Sequence, residues 1–239
     1  MRKWLLIFII LTGEIATAQD STINILKTEA FRPIPITVPD TIKESWIKGG
    51  LFNLNIAEGS LKNWAAGGDD FSFAMNMHTN GHAFYIKKKV TWENNVDIYV
   101  GYIHTTSLGT RKNDDRFDFI SKYGYALNSK ISASALFETR TQFFDGYTYV
   151  NPETPQFSST AFSPAYVLLS PGFDYKPVKN LSIFVSPITS RWVIVANPTL
   201  SKNGAYGVDS GKTSINQLGA FGTITFNSNF IKAVTYNAR

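Results

Sequence analysis

Apolar and polar side chains alternate along several long segments of this chain, most regularly between Val90 and Tyr102. Every even position there is apolar except Asn94, and the odd positions are mostly polar. Because a β-strand places successive side chains on opposite faces, the segment predicts a strand between an apolar medium and water. It is much longer than the about 5–6 residues usual in globular proteins, whereas a tilted strand that crosses a membrane needs about 9–11.

Similar patterns predict eight strands in all. Their approximate ranges are 47–58, 70–86, 90–104, 115–127, 131–146, 162–176, 181–195 and 215–228. In the second strand, Phe71, Phe73 and Met75 share one parity, whereas Phe84 and Ile86 have the other. One extra residue would shift the parity, so we expect a β-bulge at Asn80-Gly81.

The connections between these strands alternate in length. Short polar turns are predicted at 87–89, 128–130, 176–180 and 227–229, and long loops rich in Gly, Asn, Asp and Pro near 59–69, 105–114, 147–161 and 196–214. Antiparallel order would put all the long loops on one side, as in outer-membrane barrels with short periplasmic turns. The predicted fold is therefore an all-β, up-and-down antiparallel transmembrane β-barrel of at least eight strands.

The N-terminus has the pattern of a cleaved signal peptide. Met1-Arg2-Lys3 precedes an apolar run that ends at Leu11, and Ala16-Thr17-Ala18 offers small residues for cleavage. A buried N-terminal strand or helix is the alternative. We predict a signal peptide at 1–18, a periplasmic leader or a plug segment at 19–45, and the barrel at 46–239.

The C-terminal residues from Phe230 to Arg239 look like the beginning of a ninth strand. Bacterial single-chain barrels have an even number of strands. We therefore expect the barrel to continue beyond residue 239, with an eight-stranded barrel and a frayed tail as the alternative.

A charge network is predicted on the polar face of the strands. A turn at 128–130 places Asp118 opposite Arg140 and Lys122 diagonal to Glu138, and opposite charges facing each other stabilise a strand pair. The full predicted network comprises Glu93, Asp97, Asp118, Lys122, Glu138 and Arg140. It could be structural packing of a closed lumen, or it could line a polar path or small-solute site.

Composition narrows the class of protein. The chain has Cys 0, which excludes disulfides and thiolate metal sites, and 14% aromatic residues, which suits the aromatic girdles of a barrel. Its net charge of +5 is dispersed, and Lys87-Lys88-Lys89 is too short a block to indicate nucleic-acid binding. A soluble secreted β-sandwich is the alternative class.

Candidates for chemistry are sparse, and we predict no catalytic residues, no metal site and no cofactor. His104 could lie near the outer rim beside Asp114 and Asp115, an arrangement that could activate water in a rim-site enzyme. We interpret those two acids as solvated loop residues. If they bind anything, a Ca²⁺ ion is the simplest ligand.

Two loop segments are candidates for partner docking. Asn63-Trp64-Ala65-Ala66-Gly67-Gly68 combines a large amphipathic anchor with residues that allow close backbone approach. It could cap the barrel mouth, or Trp64, Gly67 and Gly68 could contact a partner protein. Arg111, Asp114 and Asp115 form the second docking candidate.

Several segments together resemble the domain-of-unknown-function family numbered 3078, found mainly in Bacteroidetes. They are Leu61 to Gly68, Arg111 to Arg116, Ser121 to Tyr125, Arg140 to Phe143 with Gly146-Tyr147, Ser186-Pro187, and Gly204 to Val208. The resemblance covers roughly residues 46–239. It implies an outer-membrane β-barrel with no assigned activity, whose members continue through further strands.

The sequence thus favours a non-enzymatic outer-membrane protein that is a structural or accessory subunit of a larger assembly. Its expected surroundings are outer-membrane lipid and protein partners, with no nucleic acid. A small-solute channel or plugged pore is the alternative. Open aqueous lumens need about 16 strands, whereas side chains fill an eight-stranded barrel.

Overall fold

The computed structural model describes residues 44–60, 69–151, 154–178, 180–231 and 234–238. All described residues belong to one compact unit within Pro33–Arg239. The segments predicted as signal peptide (1–18) and as leader or plug (19–45) lie outside the described residues, apart from the last two positions of the latter. The docking candidates Trp64, Gly67 and Gly68 lie outside them as well.

The described part of the chain is almost entirely β-structure. The strands are β1 (Glu44–Ser60), β2 (Phe71–Lys87), β3 (Val90–Thr105), β4 (Gly109–Ala126), β5 (Ile131–Thr141), β6 (Gly146–Asn151), β7 (Thr154–Ser159), β8 (Ala165–Val178), β9 (Leu181–Ile194), β10 (Ser214–Ile231) and β11 (Val234–Ala238). Between β9 and β10 lie helix α1 (Pro198–Lys202) and a 3₁₀ turn (Ala205–Gly207). No described helix is long and apolar enough to cross a membrane.

Nine of these strands form one antiparallel up-and-down sheet in the order β1-β2-β3-β4-β5-β8-β9-β10-β11, and β6 and β7 form a separate hairpin. This confirms the predicted all-β antiparallel class and the expected ninth strand. Within the described residues β1 and β11 are the two edges, and no pairing joins them. The closed transmembrane barrel therefore stays a prediction.

The predicted strands agree with the structure to within a few residues, but two predicted connections are wrong. Strand β4 begins at Gly109, so the connection after β3 is a turn of residues 106–108 instead of a long loop at 105–114. Strand β10 continues to Ile231, so no turn lies at 227–229. In both places the polar residues extend a strand beyond its apolar part, and polarity alone suggested a loop.

The predicted bulge at Asn80-Gly81 is also wrong. Strand β2 pairs with β1 and with β3 in unbroken register from end to end. Phe84 keeps the parity of His78 and Asn80 and is 4% exposed. The polar face of the sheet accommodates the Phe84 ring. An apolar residue at an even position of β2 therefore does not require a bulge.

Register shifts occur elsewhere. Strand β4 has one extra residue, Asn113, where Gly101 pairs with Asp114 and Tyr102 pairs with Lys112. A second irregularity separates Leu169 from Phe173 where β8 pairs with β9. Such bulges reverse the faces of all residues on one side of them.

The long connection between β9 and β10 has its own apolar core, and we call residues 195–213 the cap. Its side chains Val195, Leu200 and Val208 are at most 4% exposed and pack with Val193 of β9. Asn197 begins α1 by accepting hydrogen bonds from the amides of Thr199 and Leu200, at 2.9 and 3.1 Å. The cap is therefore a folded element fixed to the end of β9.

The cap also contacts the β6–β7 hairpin. Tyr206 Oη donates a 2.6 Å hydrogen bond to the Ser158 carbonyl, and Phe157 packs against the cap core. Burial raises the pKa of the Tyr206 hydroxyl. Its contribution to stability is present below the unfolded pKa of about 10 and is lost as the pH rises through the raised folded pKa.

We predict that Leu200→Ala will destabilise the cap. Removing a buried leucine side chain costs about 2–5 kcal/mol, since it leaves a cavity. Hydrogen exchange should accelerate at the amides of residues 196–213 and remain unchanged in β3 and β4. Leu108→Ala, at a position that is 42% exposed, is the matched control. Equal acceleration in both variants would show that Leu200 does not support the cap.

Candidate functional site

The sheet has two chemically different faces. The polar face carries His78, Asp97, Asp118, Lys122, Glu138, Arg140, Asp174 and Arg191 on alternating positions of β2 to β9. The apolar face carries the residues between them. The polar face is the more buried one, which is the reverse of the pattern in a water-soluble sheet.

The sheet curves strongly toward the polar face. Lys122 Nζ of β4 lies 4.9 Å from the ring centroid of Phe184 of β9, although β5 and β8 separate the two strands. In a flat sheet three inter-strand spacings would hold the backbones of β4 and β9 about 14 Å apart, with the two side chains projecting side by side. The curvature lets polar-face residues from distant strands contact each other.

Asp118 is at the centre of the charged residues. It is 0% exposed, and its two carboxylate oxygens contact Arg140 Nε at 2.6 Å and Arg116 Nε at 3.0 Å. Asp118 lies opposite both Asp97 and Arg140 in the ladder. Two guanidinium groups therefore offset the repulsion between neighbouring carboxylates, as a buried charge requires.

A second group of charges lies nearer the short turns. Lys122 forms an ion pair with Asp174 of β8, across the intervening strand β5. Ser182 donates a 2.9 Å hydrogen bond to the same aspartate, and Glu93 lies opposite Lys122 in the ladder. The side-chain contacts join β4, β8 and β9, and the register places Glu93 of β3 beside them.

On β2 and β3 the polar face continues through polar side chains that surround the Asp97 carboxylate. His78 Nε2 lies 2.9 Å from Asp97 Oδ1, and Asn80 and Asn95 donate to the same carboxylate at 3.0 and 2.7 Å. The His78 ring stacks on Tyr99, with the two ring centroids 4.1 Å apart. The guanidinium carbon of Arg116 lies 4.2 Å from the centroid of the same Tyr99 ring, which links this group to Asp118.

Toward the cap, the polar face is closed by hydrogen-bonded side chains. Arg191 donates to Gln217 at 2.8 Å and lies over the ring of Tyr166, a residue that packs on the cap core. The Thr189 hydroxyl lies 3.0 Å from the hydroxyls of both Ser170 and Ser186, within hydrogen-bond distance of each. The polar face near the cap therefore carries hydrogen-bonded polar side chains.

The apolar face exposes large side chains to the surroundings. Its exposed residues include Met75, Trp92, Tyr123, Tyr125, Phe137, Leu169, Phe173, Tyr175, Val185, Ile188, Leu218 and Ile224. Aromatic residues concentrate near the short turns. The centroid of the Trp46 ring lies 4.9 Å from that of Tyr85 and 5.9 Å from that of Trp92. A second aromatic group surrounds Tyr102 and Phe117 near the other end.

All six residues of the predicted charge network lie on the polar face. The pairing of Asp118 with Arg140 is confirmed, and Glu138 is diagonal to Lys122 as expected. Whether the network serves a solute stays untested. The sequence analysis missed four members, namely His78, Arg116, Asp174 and Arg191.

Simple alternation could have revealed Asp174, because it lies between the exposed residues Phe173 and Tyr175. Arg191 has the opposite parity from Ser182 and Phe184 of the same strand. The irregularity between β8 and β9 places it on the polar face, and no local residue pattern predicts that shift.

The second docking candidate is not in a loop. Arg111, Asp114 and Asp115 all lie in β4. The Asp115 side chain is 1% exposed and forms a 2.7 Å ion pair with Lys112. Interpreting Asp115 as a solvated loop acid was wrong, because the backbone of residues 143–144 covers it.

His104 has a different environment from the one expected. Its Nδ1 atom lies 2.9 Å from Thr110 Oγ1, and its ring contacts Phe71. The Asp115 carboxylate is occupied by Lys112 and by the amides of Phe143 and Phe144. The histidine therefore lacks the acid pairing with Asp115 that a rim enzyme would use. Within the described residues no group of three or more His, Asp or Glu side chains could hold a metal ion.

Comparison with known proteins agrees with the resemblance noted from sequence. Residues 56–147 match the family model described as "Protein of unknown function (DUF3078)". This segment belongs to the DUF3078 family. The match covers β2 to β5, and therefore most of the charge network, and is shorter than the expected range of 46–239. Searches of curated proteins and of solved structures found no match.

The central position of Asp118 generates a prediction. Asp118→Asn should leave Arg116 and Arg140 without their shared carboxylate, and breaking a buried ion pair costs about 3–5 kcal/mol. Urea unfolding followed by tryptophan fluorescence should report this loss. The control is Asp209→Asn in the fully exposed pair with Lys212. A midpoint for Asp118→Asn equal to that of the control would remove Asp118 from its central structural role.

Proposed function

We propose that this chain is an outer-membrane β-barrel protein whose interior is occluded, and that it serves as a non-enzymatic structural or accessory subunit of a larger outer-membrane assembly. The observation that carries the proposal is the inverted sheet, with its charges buried and its large apolar side chains exposed. Export by a signal peptide at residues 1–18 is part of the proposal.

The inverted sheet is incompatible with water on its apolar face. Soluble monomers rarely expose a contiguous apolar patch larger than a few hundred Å². Here exposed apolar residues continue across β3, β4, β5, β8 and β9. Lipid is the medium that would surround such a face without a free-energy penalty, and a strand can cross it when all backbone groups are paired within the sheet.

The two aromatic groups have a separation that fits a bilayer. Trp92 and Tyr102 lie ten residues apart on β3, which is about 33 Å along a strand. At a tilt of about 40° this becomes about 25 Å along the membrane normal, similar to the apolar band of outer-membrane barrels. Val96, Ile98 and Val100 occupy the same face between them.

The filled interior favours an accessory role over an open channel. Acidic and basic side chains of the polar face pair with each other, and the cap packs over Tyr166 and Val193 at one end. A barrel of about eight strands is just wide enough to be filled by side chains. Solute passage would require displacement of both the cap and the ion pairs.

Membrane insertion can be tested with spin labels, because the chain has no cysteine. In proteoliposomes, a label at Ile98→Cys should collide often with oxygen and seldom with a water-soluble nickel complex. A label at Ser210→Cys, which is exposed on the cap, should show the opposite behaviour. Nickel accessibility at residue 98 equal to that at residue 210 would refute the membrane-spanning proposal.

A plugged pore is the second candidate, since the polar face could conduct if the cap moved. We expect the purified protein to insert into planar bilayers without steady ion conductance. A steady conductance whose ion selectivity changes in Arg140→Glu would establish a channel and overturn the occluded accessory role. Insertion is checked separately. The same protein preparation is reconstituted into vesicles of the same lipid, and its protection from an added protease is measured.

The accessory role predicts a protein partner in the outer membrane. After mild detergent extraction, a photo-crosslinking amino acid at Trp64 should give a defined adduct identifiable by mass spectrometry, and Trp64→Ala should weaken co-purification. Leu108→Ala, at an exposed apolar position of the described turn 106–108, is the control. Loss of every adduct under conditions that preserve the folded protein would count against the docking role of Trp64.

A further inference from the structure

The R-K-N-D-D block at 111–115 contains a buried ion pair of its own, between Lys112 and Asp115. In a regular strand, residues 112 and 115 would point to opposite faces. The extra residue Asn113 removes that separation, so that Lys112 aligns with Tyr102 and Asp115 with Val100. Tyr102 and Val100 both belong to the apolar face.

A charged pair on the apolar face needs to be covered. The segment after β5 supplies the cover through its backbone. Phe143 N donates to Asp115 Oδ1 at 3.0 Å, and Phe144 N donates to Oδ2 at 2.8 Å. Lys112 Nζ donates to the Phe144 carbonyl at 2.7 Å. We call these contacts the clasp.

The clasp leaves two large apolar side chains exposed. Phe143 is 43% exposed and Phe144 is 46% exposed. The ring centroids of Phe143 and Phe117 are 5.8 Å apart, and those of Phe144 and Tyr102 are 6.3 Å apart. Both contacts are with apolar-face residues, so the two rings extend the apolar face beyond the strands at the end away from the short turns.

We propose that the clasp fixes Phe143 and Phe144 as an anchor in the interfacial layer of the membrane, where their rings contact lipid. This inference rests on the proposed membrane-spanning function and adds a role for the R-K-N-D-D block. Lipid is favoured over a protein ligand because the rings are continuous with the exposed apolar face and with its aromatic group. Interfacial aromatic residues are stabilised where apolar chains meet the polar headgroups.

The clasp uses backbone atoms of residues 143 and 144, so either side chain can be replaced without removing its hydrogen bonds. Spin labels at Phe143→Cys and at Phe144→Cys, each in a separate variant, keep the other ring in place. In proteoliposomes of phosphatidylcholine and phosphatidylglycerol, both labels should give an oxygen-to-nickel accessibility ratio between those of the labels at residues 98 and 210. This intermediate ratio marks the interfacial layer.

The role of the ion pair is tested by adding a second substitution to the Phe144→Cys variant. Asp115→Asn should shift the label toward the aqueous ratio of residue 210, because the amides lose their charged acceptor. Asp114→Asn is the matched control, since Asp114 is its exposed neighbour in the same strand. A ratio that Asp115→Asn leaves unchanged would refute the clasp as the element that positions the rings.

The remaining outcomes separate this inference from the proposed function. A deep lipid signal at residue 98 with an aqueous signal at 143 and 144 would overturn the anchor alone. Labels at 143 and 144 shielded from both oxygen and nickel would indicate contact with protein and would also overturn it. An aqueous signal at residue 98 would overturn the membrane-spanning function and the anchor together. If Asp115→Asn does not fold, the labels in the Asp115 background still decide whether the rings contact lipid.

Discussion

The structure depends on ion pairs that hold charges on one face of a curved sheet. Asp118 is fully buried, and its contacts with Arg140 and with the partly exposed Arg116 offset the desolvation of its carboxylate. Removing one partner would leave an uncompensated charge in a region of low dielectric, where electrostatic interactions are strong. The exposed face can therefore be largely apolar, because most of the charged side chains of the sheet form ion pairs on the polar face.

Curvature and charge pairing support each other. Lys122 of β4 contacts Asp174 across β5, and the curvature of the sheet also brings its ammonium group to the Phe184 ring of β9. The cap follows β9 directly, and its buried residues Val195 and Leu200 pack with Val193 at the end of that strand. The charges of the polar face, the curvature of the sheet and the cap therefore support one another, and they are the contacts on which the proposal of an occluded interior rests.

Much of the sheet could be predicted from sequence because each strand repeats with a period of two. Alternation located the eight long strands, and a turn near residue 129 fixed the pairing of Asp118 with Arg140. The hairpin β6–β7 and the helix of the cap lay within segments predicted as loops. Their order comes from long-range contacts, such as that of Tyr206 with Ser158, which local patterns do not contain.

Bulges explain most of the remaining errors about side-chain direction. A bulge was expected in β2 because Phe84 is apolar, but an apolar ring is tolerated on the polar face. Where bulges do occur, they change the environment of charged residues. Arg191 joins the polar face and Lys112 joins the apolar face, each against the simple parity of its strand.

The bulge at Asn113 determines on which face of the sheet Lys112 and Asp115 lie, and this placement bears on the proposed anchor. Without it, Lys112 and Asp115 would lie on opposite faces and could not form a pair that bonds to one backbone segment. With it, an ion pair lies at the edge of the apolar face and is covered by residues 143–144. The charged block therefore marks the level at which the apolar face ends, and it holds aromatic side chains at the same level. A sequence motif that suggested a solvated loop is therefore better explained as the end of the apolar face of the sheet, where β4 meets the segment that follows β5.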